Sequence, residues 1–213
     1  MLELQAVIEG RQTVYRMLGS LFRTEVTPQT LEALRTRPFP SDENDETLAS
    51  AAKELNAAAA ALTPADLDEL AADYARTFLS AGVADGHAAF PFESVYTSPE
   101  KLVMQDAYEA VHRLLCAEGV APEEPDLYDD HLGIELAFMA HLAGKTARAL
   151  AQTRSEDTEK GLDEEKAFLA AHLLNWTDKF FKDLDEVAAS RFYRALGRYT
   201  SAWLEADRLW LEA

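Results

Sequence analysis

Apolar residues in this chain recur at intervals of three and four almost from end to end. Leu4, Val7, Ile8, Val14, Tyr15, Leu18, Leu21 and Phe22 set the pattern in the first helix. That period is the signature of one buried helix face, and no stretch shows the alternation of a strand. The start signals agree. Thr27-Pro28 and Thr63-Pro64 each pair a capping hydroxyl with proline at the first helical position. The stretch ETLASAAKELNAAAAAL is rich in strong helix formers. Further helices are expected from Ser98-Pro99 to about residue 118, from about 128 to 152, from about 163, and from about 186 to 211. The chain is therefore expected to be all-α, a single-domain multi-helix bundle over residues 1–213. Residues 80–97 are the longest non-helical stretch, and 119–127 a second loop. The polar link 153–161, TRSEDTEKG, is a candidate hinge, across which a homodimer can form by exchange of elements.

Composition narrows the function. With 48% hydrophobic residues in 213, the chain has enough apolar material for a core. Its formal charge of −18 repels nucleic acid and anionic membranes and attracts cationic partners. One cysteine, Cys116, excludes an internal disulfide. The first residues lack a basic region followed by an apolar one, and no run reaches the ~20 apolar residues of a membrane span. A cytoplasmic protein without membrane insertion is expected.

Chemistry-bearing motifs are few. There is no Gly-x-Ser-x-Gly and no phosphate-cradling glycine loop. Glu109 and His112 have Glu-x-x-His spacing, and His131 and Glu135 share a helix face. These four define an alternative, a metal-dependent helical-bundle enzyme, but a di-metal site requires a second such pair. No cofactor is expected.

The densest feature is EEPDLYDDHLGIELAFMAHLAG, residues 123–144. Glu123, Glu124, Asp126, Asp129 and Asp130 precede His131, which leads into an apolar helix. Acids at a helix start complement its dipole, but so many repel one another unless a cation relieves them. Along the helix His131, Glu135, Phe138 and Leu142 form a stripe. A polar end running into an apolar face suits a ligand with a cationic head and an apolar tail. A twin-arginine export signal is such a ligand, and carboxylates grip guanidinium groups bidentately.

The same residues carry a resemblance. EPDLYDDHLGIELAFMAHLA is similar to the signature of the TorD/DmsD family of redox-enzyme maturation chaperones. FPFESVYTS at 90–98 resembles that family's Pro-Tyr-Glu-Ser-Val-Tyr loop, and FYRALGRYTSAWLEAD and RQTVYRMLGSLF match in the same order. The resemblance implies an all-helical, cytoplasmic, non-enzymatic protein. It would bind the twin-arginine leader and the folded part of a molybdopterin oxidoreductase precursor, delay its export and assist cofactor insertion. A chaperone for a nitrate-reductase-type catalytic subunit is the alternative within the family. Carried over by position, Glu124, Asp126, Asp130, His131, Glu93 and Tyr96 match, and Asp129, Glu135 and Phe138 complete the expected peptide-binding set. Leu127-Tyr128-Asp129 separates the signature's parts, so either Asp126 or Asp130 is the signature aspartate, and Asp130 adjoins His131. Phe92 stands where the family often has tyrosine.

Overall fold

The computed structural model describes residues 2–79, 88–120 and 127–213. The fold is all-α, with no strand among those residues; one isolated bridge pairs Phe92 with His131. The helices are α1 (Leu2–Arg23), α2 (Pro28–Thr36), α3 (Glu46–Ala61), α4 (Leu67–Phe78), α5 (Glu93–Thr97), α6 (Asp106–Ala117), α7 (Leu132–Ala151), α8 (Ser155–Phe168), α9 (Thr177–Val187) and α10 (Arg191–Glu212). A 3-10 turn, Pro64–Asp66, precedes α4, and a π segment, Leu169–Leu173, follows α8.

Sequence signals place several of these ends. Thr27 caps α2, its hydroxyl accepting from the Thr30 amide at 3.1 Å, and Asp45 caps α3 through the Leu48 amide at 3.0 Å. Several boundaries differ from the expectation; among them, the last helix starts at Arg191 rather than near 186, after a separate α9. The helix expected from Ser98-Pro99 starts only at Asp106, because Lys101 and Met104 adopt φ of 54° and 58°, outside helical space. A short helix, α5, instead lies inside the 80–97 loop. α7 starts at Leu132 rather than near 128, since His131 is its cap. Most of the 153–161 link is the first half of α8: Thr153, with φ of 58°, ends the previous turn. Glu156 and Asp157 then favour the new helix start through its dipole.

The chain forms two compact units. The first takes its residues from Met1–Arg23, Phe92–Trp176 and Arg208–Ala213. Here α1 lies along α7, and α7 along α8. α1 and α7 approach closely at Gly19 and Gly133: a Cβ on either would come within 2.8 Å of the other's carbonyl oxygen. Further along the same two helices Ile8, Ala143 and Ala147 form a cluster with Leu150 and Trp210. Arg11 and Glu165 make a buried ion pair at 2.6 Å, and the Arg11 guanidinium sits over the Trp210 ring. The second unit takes Thr24–Pro91 and Thr177–Asp207. Its core packs Tyr74, Phe78, Phe180 and Tyr193 in tilted and edge-on contacts, and the buried Asp73 carboxylate accepts from the Ala189 and Ser190 amides just before α10.

Candidate functional site

The two most specific sequence motifs meet in the first unit. The Glu93 amide donates to the Asp130 carbonyl at 2.9 Å, and the Ser94 amide to an Asp130 carboxylate oxygen at 2.9 Å. Both donors belong to the first turn of α5, which has no partner for them within its own helix. Asp130 therefore does for α5 what a capping residue does, across 36 residues of sequence. The Phe92 ring stands edge-on to His131, with centroids 5.0 Å apart. The His131 Nδ1 accepts from the Gly133 amide at 3.0 Å and so caps α7.

Burial sets the electrostatics. Asp130 and Glu135 are 0% exposed and Glu93 3%. Removal from water pushes the Glu135 carboxyl well above the ordinary range, and the neighbouring Glu93 charge adds to it. A protonated Glu135 can donate towards Glu93, and the Trp176 indole donates to Glu135 at 3.3 Å. Asp130 is raised by burial too, while its bonds from Ser94 oppose that shift. Glu93 lies 2.9 Å from His172 Nδ1 and accepts from the Asn175 amide group at 2.6 Å. The same desolvation acts in reverse on His131, holding its pKa at about 3; the Arg23 charge adds to the effect.

The expected binding residues therefore fall into distinct places. Asp130, His131, Glu135 and Glu93 are interior groups that fasten the 92–98 segment to the start of α7, rather than an open acidic mouth. One Asp130 oxygen accepts from the Ser94 amide, one Glu135 oxygen from the Trp176 indole and His131 Nδ1 from the Gly133 amide, while Glu93 is held by His172 and Asn175, all of them away from solvent. Asp129 is buried against His112, 2.7 Å away. Tyr96 stacks on Trp176, with centroids 5.4 Å apart. Phe138 is buried but contributes a wall to a groove. Glu124 and Asp126 lie outside the described residues. Glu109, His112, His131 and Glu135 do not assemble as ligands; among the described residues no three His, Cys, Asp or Glu side chains are grouped so as to hold a metal ion. Glu109 instead faces Arg113, 3.7 Å away on the surface of α6.

Two open depressions adjoin this interior. One is an apolar groove of about 380 Å³ between α6, α7 and α8, lined by Leu114, Ala117, Phe138, Leu142, Phe168 and Ala171. Its rim acids, Glu118 and Glu164, are both held by Lys145, at 2.7 and 2.9 Å. The other is an acidic pocket of about 460 Å³ at the start of α6, where Glu100 and Asp106 are exposed and Glu93 forms part of the wall. His172 lines both depressions. It stands on the π segment, whose wider turn alters the helical register of the residues that follow α8. Glu100, Asp106, Phe168 and His172 were not expected from the sequence. The i, i+4 spacing of Phe168 and His172 was visible, but a π turn leaves no compositional mark.

Among the described residues no helix is long and apolar enough to cross a membrane. Residues 41–182 match the family described as nitrate reductase delta subunit. Relatives include a chaperone protein TorD of Shewanella pealeana, 30% identical over 99% of this chain and 94% of the relative. A chaperone protein TorD of Vibrio cholerae is 33% identical over 98% of this chain and 94% of the relative. Full-length similarity of this kind, together with the meeting of both signature motifs around Asp130, leads to one conclusion: the chain belongs to the TorD/DmsD family of redox-enzyme maturation chaperones, not to a class of enzymes.

Proposed function

We propose that this chaperone binds, in the cytoplasm, the twin-arginine leader of a molybdenum-cofactor oxidoreductase precursor. By holding the leader it delays export while the cofactor is inserted and the precursor folds. The observation that carries this reading is the junction at His172, the shared wall of an acidic pocket and an apolar groove. The arginine pair meets Glu100 and Asp106, and the leader's apolar stretch lies along Phe138, Leu142 and Phe168. Guanidinium groups pair with carboxylates in fixed geometry, which favours arginine over lysine. Micromolar affinity requires about −8 kcal/mol, within reach of a few charge-assisted hydrogen bonds and apolar burial. Asp130, His131 and Glu135 act one step back, by holding the segment that ends at this pocket.

Titration calorimetry with a synthetic leader tests the reading. The peptide is compared with its double arginine-to-lysine form, on the wild type and on the double variant Glu100→Gln, Asp106→Asn. The expected result is about tenfold weaker binding from each change, roughly 1.4 kcal/mol. Binding indifferent to both changes overturns the acidic pocket as the arginine site.

The family description favours a second reading, a chaperone for a nitrate-reductase-type catalytic subunit. The groove then takes an apolar segment without an arginine pair. That client's peptide would bind the wild type and the Glu100→Gln, Asp106→Asn variant equally well.

A further inference from the structure

Phe138 lines the apolar groove on one side and a separate cavity on the other. This second cavity measures about 440 Å³. Arg16, Arg23, Arg148 and His141 surround it, Gln12 stands among them, Ile134 lies in its wall, and among the described residues no carboxylate lines it; Glu118 approaches His141 to 3.3 Å from the groove side. Such a lining runs against the composition of a chain with 38 acids to 20 lysines and arginines. Among the described residues Arg16 and Arg148 have no ion-pair partner, although both are exposed. Several other cations of this unit do find acids, as Arg11 does Glu165 and Lys145 does Glu118 and Glu164.

The basic side chains are also given room by the backbone beneath them. Gly144 lies under the meeting of Gln12 and Arg148: a Cβ there would collide with the Gln12 amide and come within 3.5 Å of Arg148 Nη1. Gly133 lies under Arg23 in the same way, and Arg23 Nε is fixed by a 3.3 Å hydrogen bond to the Gly19 carbonyl. Two absent side chains on one face of α7 thus allow this cationic lining.

The three depressions adjoin in turn: the acidic pocket and the groove share His172 as a wall, and the groove and the basic cavity share Phe138. The acidic pocket takes Gln105, Asp106, Ala107 and Ala110 from the first part of α6 and the segment before it. The groove takes Leu114 and Ala117, and the basic cavity takes Leu115 and Val120. From Ala107 to Leu115 the helix rises about 12 Å, which about four residues of extended chain span. The surface therefore reads negative, apolar, positive. Its complement is a polypeptide that reads positive, apolar, negative.

We propose that the basic cavity takes an acidic segment of the client polypeptide that follows the apolar stretch of its leader. This rests on the leader-binding reading above, which fixes the order of the ligand: the arginine pair precedes the apolar stretch, so the acidic segment comes after it. The cavity then reports whether the chain beyond the leader's apolar part belongs to the right client. Arg16 and Arg148 supply the pairing charges, and Gln12 a further hydrogen-bond donor.

Three labelled peptides test it. Each carries an arginine pair and an apolar stretch, ending in two glutamates, two glutamines or two lysines. Fluorescence anisotropy at low and moderate salt measures their affinity for the wild type and for the double variant Arg16→Gln, Arg148→Gln, with circular dichroism melts confirming the fold. The glutamate peptide is expected to bind the wild type about tenfold tighter than the glutamine peptide, with the lysine peptide weakest. The double variant should lose that ranking and keep its affinity for the glutamine peptide. Equal binding of all three tails to the wild type overturns the proposal and leaves leader binding intact. So does a glutamate preference that survives in the double variant. Failure of every peptide to bind the wild type overturns the leader reading and this proposal with it. A further arm titrates inorganic phosphate: phosphate binding lost in the double variant, with no tail preference, assigns the cavity to a free anion and overturns the proposal.

Discussion

Glu93, Asp130 and Glu135 are shut inside the protein, whereas Glu100 and Asp106, which follow Glu93 in the chain, stand open to solvent. All five are carboxylic acids in one unit of the fold, and they do different work. The interior three hold backbone amides, an indole and an imidazole, and burial pushes Asp130 and Glu135 upward in pKa. The open two stand at a pocket mouth, where a cation can approach without first displacing a structural partner. Chemical identity is the same in both places; solvation and prior engagement decide the role.

The largest effect expected from the interior is its response to acid. His131 is held at about 3, well under its ordinary 6.5, so its neutral form contributes stability that is complete above about 6.5. That contribution is lost as pH falls from about 6.5 towards about 3, on the order of 4–5 kcal/mol over the whole window. Urea unfolding between pH 4 and 7.5 should show this acid limb, and His131→Gln should flatten it. An acid limb unchanged by the substitution would remove His131 from the interior network.

Next in size is a direct contrast between the two sets. Glu93→Ala leaves His172, Asn175 and the protonated form of Glu135 without their shared partner, and is expected to cost about 3 kcal/mol. Glu100→Ala, at an open site, should change stability by less than about 0.5 kcal/mol. Equal losses in denaturant titrations would break the distinction between interior and open carboxylates.

The smallest expected change sharpens it. Glu135 has a raised pKa, so its stabilising, protonated form is fully present at low pH and lost as pH rises through its folded-state value. Glu135→Gln should therefore raise stability by about 1 kcal/mol at pH 8, and by less at pH 5. A larger benefit at pH 5 than at pH 8 would mean that the carboxylate, not the acid, is the form the fold prefers.

Helix periodicity, the caps at Thr27 and Asp45, and the alanine-rich α3 were all legible because each depends on neighbours within a turn or two. The family motifs were legible for the same reason: they are contiguous. The helix starts at Asp106 and Leu132 were not, because each is set by backbone angles or a cap that depends on the surrounding packing. Asp130 illustrates the limit. Its place beside His131 marked it for a role, but the chain alone could not show that its carboxylate faces Ser94, 36 residues earlier, instead of solvent.

By itself the sequence determined an all-α protein, the approximate places of most helices, the strongly acidic charge and the family. Those properties follow from local periodicity, composition and motif order. Only the tertiary structure decided which acids are buried and which are open. It also placed the π segment that carries His172 at the junction of two depressions, and collected Arg16, Arg23 and Arg148 into a basic cavity of an acidic protein. The reason is that a side chain's charge state and availability depend on what lies within a few ångströms of it, and those neighbours come from helices far apart in the chain.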